Sequence, residues 1–192
     1  GYNSTNGKAA LYLVPLDRTL TVHKITVDTG GNGLSEPALV DTNGDRIIDL
    51  IYAGDLKGNV WKFNVAGDSD TWKSAYLEGT NPAPLFTATS AASTGLPNGS
   101  RQAITSALEI GKAPRGQSGY MIYFGTGKYL GYLDIVDTSA QTVYGILDSG
   151  SRITGTPPRS ALQEQTFIYE GRRTSADASL VRVASNNATN YT

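Results

Sequence analysis

The 192-residue sequence contains no cysteine. Disulfides, thiol nucleophiles and thiolate metal ligation are therefore excluded. A single histidine, His23, leaves a histidine-based zinc or iron site without its ligands. No lysine-arginine block and no acidic tail occur, and 16 basic against 17 acidic residues give a net charge of −1. That balance lacks the basic patch a nucleic-acid partner needs. No apolar run approaches the roughly 20 residues required to span a bilayer, so the chain is not expected to cross a membrane. The first residues, Gly1-Tyr2-Asn3-Ser4, are polar and carry no signal-peptide pattern. A sustained 3.6-residue apolar period is also missing. Only Ser160 to Gln165 suits a short helical turn.

What the chain does have is 22 glycines, 11 tyrosines and many threonines, a composition of β-structure with tight turns. Glycine-punctuated strand pairs recur along it. An incomplete copy covers Ala9 to Asp17 and Val22 to Asp28. A second runs through Pro37 to Val40, Ile47 to Gly54 and Gly58 to Val65, and a third through Ile104 to Ile110, Gly119 to Gly125 and Gln141 to Asp148. Leu11-Tyr12, Val60-Trp61 and Val143-Tyr144 align, as do Ile51-Tyr52-Ala53-Gly54 and Ile122-Tyr123-Phe124-Gly125. Short antiparallel strands repeating with glycine corners are the pattern of a β-propeller blade. The expected fold is thus all-β, a partial set of blades. It divides into a blade part over 1–36, a blade over 37–100, a blade over 101–171 and a partial blade over 172–192. Propellers close with roughly four to eight blades, so a larger parent ring is expected. Such a piece should expose strand edges and apolar surface. Ala66 to Ser100 and Asp148 to Pro158, rich in small and polar residues, read as surface loops, with Leu85-Phe86-Thr87 as an outer strand.

The most specific motif joins the first two strands of the middle blade. Asp41-Thr42-Asn43-Gly44-Asp45-Arg46-Ile47-Ile48-Asp49 sets oxygen side chains at alternate positions. Calcium loops supply ligands from positions 1, 3, 5, 7 and 9, the seventh through a backbone carbonyl. Asp41, Asn43, Asp45, Ile47 (by its carbonyl) and Asp49 occupy those positions. Three carboxylates this close repel one another unless a cation neutralises them. Position 6, usually glycine, is Arg46, and position 12, usually a bidentate glutamate, is Tyr52. Asp49 is expected to close the site from the start of the strand Ile48 to Tyr52. Three anionic ligands suit an affinity on the order of 10⁻⁶ to 10⁻⁴ M, and calcium suits the site better than magnesium, which retains its waters. The competing reading is an acidic hairpin turn, which Asn43-Gly44 would also favour.

Other motifs carry less. Gly125-Thr126-Gly127-Lys128 lacks the spacing of a phosphate-binding loop and is read as the turn leaving a strand. His23, with Asp17 and Asp28 nearby in sequence, has no nucleophile-elbow serine to serve and is read as a surface strand residue. Trp61 lies on an alternating strand and is read as core; Trp72 suits either core or a ligand surface.

Asp41 to Asp49 with the following Ile51 to Phe63, Gly1-Tyr2-Asn3-Ser4, Tyr123 to Leu130 and Gln141 to Ile146 together resemble the PilY family of type IV pilus-associated proteins. The likeness covers most of Gly1 to Asp148. It implies a modified, quinoprotein-like β-propeller and a non-enzymatic role in pilus biogenesis. It further implies control of pilus extension and retraction, with surface adhesion and twitching motility. The family's calcium loop maps onto Asp41, Asn43, Asp45, Ile47 and Asp49. The partners implied are minor pilins at the pilus tip, with host surface molecules a further expectation. The location implied is the bacterial cell surface at the pilus tip, with outer-membrane association. An integrin-like calcium propeller, a receptor for a protein or glycan, fits the same loop but usually repeats it in several blades. A quinone-dependent dehydrogenase on a similar ring would need cofactor-stacking tryptophans, which Trp61 and Trp72 do not supply.

Overall fold

Runs such as Leu50 to Gly54 and Asn59 to Asn64 are β-branched, aromatic and short, and end in glycine or asparagine, so they form strands that turn back at once. The computed structural model describes residues 7–17, 21–92, 99–172 and 179–189, and its regular elements are strands and short 3₁₀ turns. Gly1 to Ser4, part of the resemblance above, lies outside the described residues. Strands β1 (Ala9–Leu13) and β2 (His23–Asp28) form an antiparallel hairpin. Strands β3 (Ala38–Val40), β4 (Leu50–Gly54), β5 (Asn59–Asn64) and β6 (Lys73–Ser74) follow as an antiparallel sheet in chain order, the layout of a blade. A small hairpin, β7 (Leu77–Glu78) with β8 (Asn81–Pro82), precedes β9 (Phe86–Thr87). Strands β10 (Glu109–Lys112), β11 (Tyr120–Gly125) and β12 (Val143–Asp148) make the next sheet, and β13 (Phe167–Arg172) pairs with β14 (Leu180–Ala184).

Three features differ from the sequence reading. The outer edge of β5 is shared: β6 pairs with Phe63 and Asn64, while β9 pairs with Asn59 and Val60. A 3₁₀ turn at Ser69–Thr71 brings the chain back early, so Leu85 to Thr87 supplies only half of the outer edge. Within the stretch read as a surface loop, Leu85, Phe86 and Ala88 are buried, as is Asp148 at the head of the other. Ile104 does not begin a strand, since β10 starts at Glu109; Ile104 instead packs as a plug over the central sheet. A 3₁₀ turn spans Pro158–Ala161 and overlaps only the start of the Ser160 to Gln165 stretch read as a short helical turn.

The central sheet is buried on both faces. Ile51, Ala53, Trp61 and Phe63 meet Ala9, Leu11 and Val27 of the β1–β2 hairpin. Tyr52 and Val60 point the other way, into a cluster with Phe86, Ile104, Ile122, Phe124, Tyr144 and Ile146. Phe124 and Tyr144 stack at 5.2 Å, and Phe86 meets Tyr144 edge-on at 5.3 Å. Successive sheets thus pack face on face, as blades do around a propeller axis.

Two buried aspartates tie the sheets together. Asp55, in the β4–β5 turn, accepts from the backbone N–H groups of Lys57 and Asn59 and from the side chains of Asn32, Asn59 and Trp61, each at 2.7–2.8 Å. Its carbonyl accepts from the N–H of Ile104. Asp148, at the end of β12, accepts from Tyr52 Oη (2.6 Å) and Tyr76 Oη (2.8 Å) and pairs with Lys62 Nζ (2.7 Å). Burial pushes the Asp148 carboxyl up, but the bonds from Lys62 and Tyr52 outweigh it and hold the group below the ordinary carboxylate range. Burial and the bond to Asp148 push the Tyr52 and Tyr76 hydroxyls well above theirs.

Two predictions follow from this packing. A Cβ on Gly54 would lie 2.3 Å from Ile104 Cγ2, so Gly54→Ala should cost about 1–3 kcal/mol in a denaturant titration; a wild-type midpoint would contradict the packing. A depressed folded pKa means that Asp148 contributes stability above the unfolded value of about 3.9 and loses it as pH falls through the folded value. Asp148→Asn should cost about 3 kcal/mol at pH 7 and flatten the acid limb of the stability profile. An unchanged acid limb would contradict that assignment.

Candidate functional site

The segment 41–49 leaves β3 and re-enters β4, and the backbone fixes both of its ends. Asp49 N–H donates to the Val40 carbonyl at 3.0 Å, and Val65 N–H donates to the Asp49 carbonyl at 2.8 Å. Asp49 therefore sits immediately before β4, which begins at Leu50 rather than Ile48. Inside the loop, short polar side chains bond to backbone a few residues on, as Asp and Asn do in turns. Asp41 Oδ1 accepts from Gly44 N–H (2.7 Å) and Oδ2 from Arg46 N–H (2.8 Å). Asn43 Oδ1 accepts from Asp45 N–H (2.9 Å), and Asp45 Oδ1 from Ile47 N–H (2.7 Å). Asp49 Oδ2 takes both the N–H and the hydroxyl of Thr42. The bonds from Arg46 and Gly44 hold the Asp41 carboxyl below its usual range.

Asp41, Asn43, Asp45, Ile47 and Asp49 thus share one solvent-facing loop. In this conformation the carboxylates do not converge: among the described residues no three His, Cys, Asp or Glu side chains come together as a metal cluster. Like charges repel, and each carboxylate is drawn to the nearest N–H. The donors are nonetheless hard oxygens of the kind calcium takes: three carboxylates and one carboxamide. The loop also has a calcium-loop bend. Arg46, at position 6, has φ +72°, the left-handed conformation for which such loops normally use glycine. The residues fit a hard cation in donor type and in backbone, provided that the carboxylates turn inward to receive it.

The other sequence candidates resolve differently. Asp28 pairs with Lys57 Nζ at 2.7 Å, while His23 meets Trp72 edge-on at 5.2 Å. His23 and Trp72 sit beside an open cleft of about 710 Å³, lined also by Leu13, Val14 and Asp70. Trp61 is buried and donates its indole N–H to Asp55. Lys128 of the glycine-rich turn is taken by Asp134 at 2.9 Å. Sequence reasoning missed the Asp55 and Asp148 clusters. Their only local signal was an aspartate at a strand end. No helix among the described residues is long and apolar enough to cross a membrane.

Comparison with known proteins gives a consistent result. The family described as the PilY1 β-propeller domain matches residues 1–179. A type IV pilus biogenesis factor PilY1 homolog of Xylella fastidiosa is 40% identical over 94% of the chain, which spans 13% of that protein. Type IV pilus biogenesis factor PilY1 of Pseudomonas aeruginosa is 37% identical over 100% of the chain, which spans 18% of it. The crystal structure of the Pseudomonas aeruginosa PilY1 C-terminal domain superposes with a TM-score of 0.79 at 34% identity, covering 99% of this chain and 42% of that one. The chain therefore spans under a fifth of the curated relatives it matches.

The bend at Arg46 generates a direct test. A residue with a Cβ at φ +72° is strained by about 1–2 kcal/mol, and a β-branched one more. Arg46→Gly should leave thermal stability unchanged or raise it by up to about 1 kcal/mol, the strain relief being offset by unfolded-chain entropy. Arg46→Val should lower it by roughly 1–2 kcal/mol. Equal melting temperatures for the two variants would contradict the left-handed bend.

Proposed function

This chain belongs to the PilY1 β-propeller family, and we propose that it is a non-enzymatic, calcium-binding propeller module of type IV pilus biogenesis. In this reading the carboxylates of Asp41, Asp45 and Asp49, the carboxamide of Asn43 and the carbonyl of Ile47 hold the ion. A bound calcium ion supplies positive charge that neutralises three carboxylates and ties the start of the loop to its end. The chain's own residues do the rest. Asp49, held by backbone bonds to Val40 of β3 and to Val65 just after β5, is the rigid wall of the site. Asp41, Asn43 and Asp45 form the movable side and exchange their N–H bonds for the ion. The observation that carries this reading is the left-handed Arg46 within an alternating oxygen-donor loop.

Because the loop joins two strands of the central blade, ligation is a stabilising link between them. Family membership supports a place at the pilus, on the bacterial cell surface at its tip and in association with the outer membrane. Minor pilins at the tip and host surface molecules are the partners we propose. A calcium-stabilised blade would act there on pilus extension and retraction, and through them on adhesion and twitching motility.

Calorimetric titration of the full-length protein with calcium tests the proposal. One site of micromolar to 100 µM affinity, on the order of 10⁻⁶ to 10⁻⁴ M, is expected, abolished by Asp45→Ala. At a hundredfold excess over Kd, calcium should add about 2.7 kcal/mol of stability to the wild type and none to the variant. Equal calcium stabilisation of wild type and Asp45→Ala would remove the loop from the mechanism.

A further inference from the structure

The β1–β2 hairpin and the segment that follows β5 flank an open cleft of about 710 Å³. Sites for small molecules occupy about 300–1,000 Å³. Both walls are held in place. On one side Leu13 pairs with His23 at the end of the hairpin, with Val14 and Pro15 beyond it. On the other stands the 3₁₀ turn at Ser69–Thr71. There the Thr71 N–H and hydroxyl both donate to the Asp68 carbonyl, at 2.9 and 2.7 Å. The Trp72 indole N–H donates to the Gly67 carbonyl at 3.1 Å, and the ring packs against the core cluster, as do Leu13 and Ile25. The cleft thus lies between two different sheets, and other contacts set the positions of the side chains that line it.

The lining has a definite chemistry. The His23 and Trp72 rings meet at 62° with centroids 5.2 Å apart, so they form a corner rather than a flat platform. A flat platform suits a sugar ring; a corner suits a compact, rounded group. Aromatic faces carry negative potential and attract a cation within about 6 Å. Asp70 is exposed at the same cleft, and among the described residues no ion pair engages it. Lys24, the neighbour of His23 on β2, lies over the Tyr12 ring at 5.2 Å, on the opposite face of the hairpin. The fixed charge among the described lining residues is therefore negative. Beside the hydroxyls of Thr21 and Ser69, the rest of the lining, Leu13, Val14 and Pro15, is aliphatic. That wall offers no side-chain oxygen to a bare metal ion and no acceptor to the three N–H groups of a primary ammonium, which are costly to desolvate. It does accept carbon substituents.

We propose that this cleft binds an alkylated ammonium group, a cation clothed in methyl or methylene carbons. The cation sits in the corner between Trp72 and His23, Asp70 supplies the counter-charge, and Leu13, Val14 and Pro15 pack on its carbon substituents. Free quaternary amines of the choline type and trimethylated lysine side chains carry the same group. The site is separate from the Asp41 to Asp49 loop and does not rest on the calcium or pilus reading.

Saturation-transfer NMR titrations of the full-length protein test the proposal with three probes: choline, acetylated trimethyllysine amide, and neohexyl alcohol, the uncharged carbon isostere of choline. At least one of the two cations should bind with a Kd of about 1 mM or tighter, the range for so few atoms. The isostere should bind about tenfold more weakly than choline if choline is the tighter cation, or not at all. Whichever cation binds more tightly identifies the carrier. Trp72→Leu should weaken binding about tenfold, and Asp70→Asn about fivefold. Because Asp70 is exposed, its variant keeps the fold and carries the test should Trp72→Leu unfold. Asp45→Ala should leave amine binding unchanged. Equal affinity for choline and its isostere would reveal an apolar crevice indifferent to charge. Binding that survives both lining variants would put the amine elsewhere on the protein. Absence of binding by either cation would show that the cleft is filled in the full-length protein or takes no amine. Each of these three results overturns the proposal and leaves the calcium and pilus readings untouched.

Discussion

A carboxylate buried away from water is costly unless hydrogen bonds replace its hydration, and Asp55 is the place where this protein meets that condition. Its two carboxylate oxygens take five N–H donors, from Lys57, Asn59, Asn32 and Trp61, and its backbone carbonyl takes two more, from Gly58 and Ile104. The donors belong to three successive parts of the chain: the segment after β2, the β4–β5 turn with β5, and the segment before β10. Removing the acceptor would orphan several buried donors at once, each worth about 1–3 kcal/mol. The glycines on either side belong to the same constraint. Gly54 admits Ile104, and Gly58, at φ +79°, lets the turn lie against the Gln102 carbonyl.

With the turn end of the sheet fixed in this way, its faces and its far end acquire definite roles. Both faces of β4 and β5 are covered by neighbouring sheets, and Asp148 locks one of those contacts through Tyr52, Tyr76 and Lys62. Loops project from the strand ends. At one end an exposed loop carries oxygen donors around a left-handed Arg46. At the other the β11–β12 connection, held by Asp134, exposes Tyr132 and Leu133.

Local patterns were legible in the sequence because their causes are local. The alternation of Asp41, Asn43, Asp45 and Asp49 marks one continuous loop, and the apolar runs of β4, β5 and β11 mark strands. Trp61 was placed in the core by alternation alone. What escaped depends on partners far away in the chain. Asp148 stands 96 residues from Tyr52, so nothing beside it announces burial, and it reads as the start of a surface loop. Phe86 reads as part of an outer strand and Ile104 as the start of one, while tertiary packing draws both side chains into the core. The division of the β5 edge between β6 and β9 likewise rests on a 3₁₀ turn at Ser69–Thr71 that has no strong sequence signature. The loop illustrates the converse: its run of oxygen side chains is readable, but the bonds that hold its carboxylates apart are not.

If, as proposed, the acidic loop holds a cation and forms one mechanical unit with the central blade, binding is felt along β3 and β4. Amide hydrogen exchange on the full-length protein, with and without calcium, addresses it most directly. Exchange should slow with calcium across residues 38–54, extending from the loop into both strands, with no change in the β11–β12 connection. Slowing confined to residues 41–49, or none at all, would contradict it.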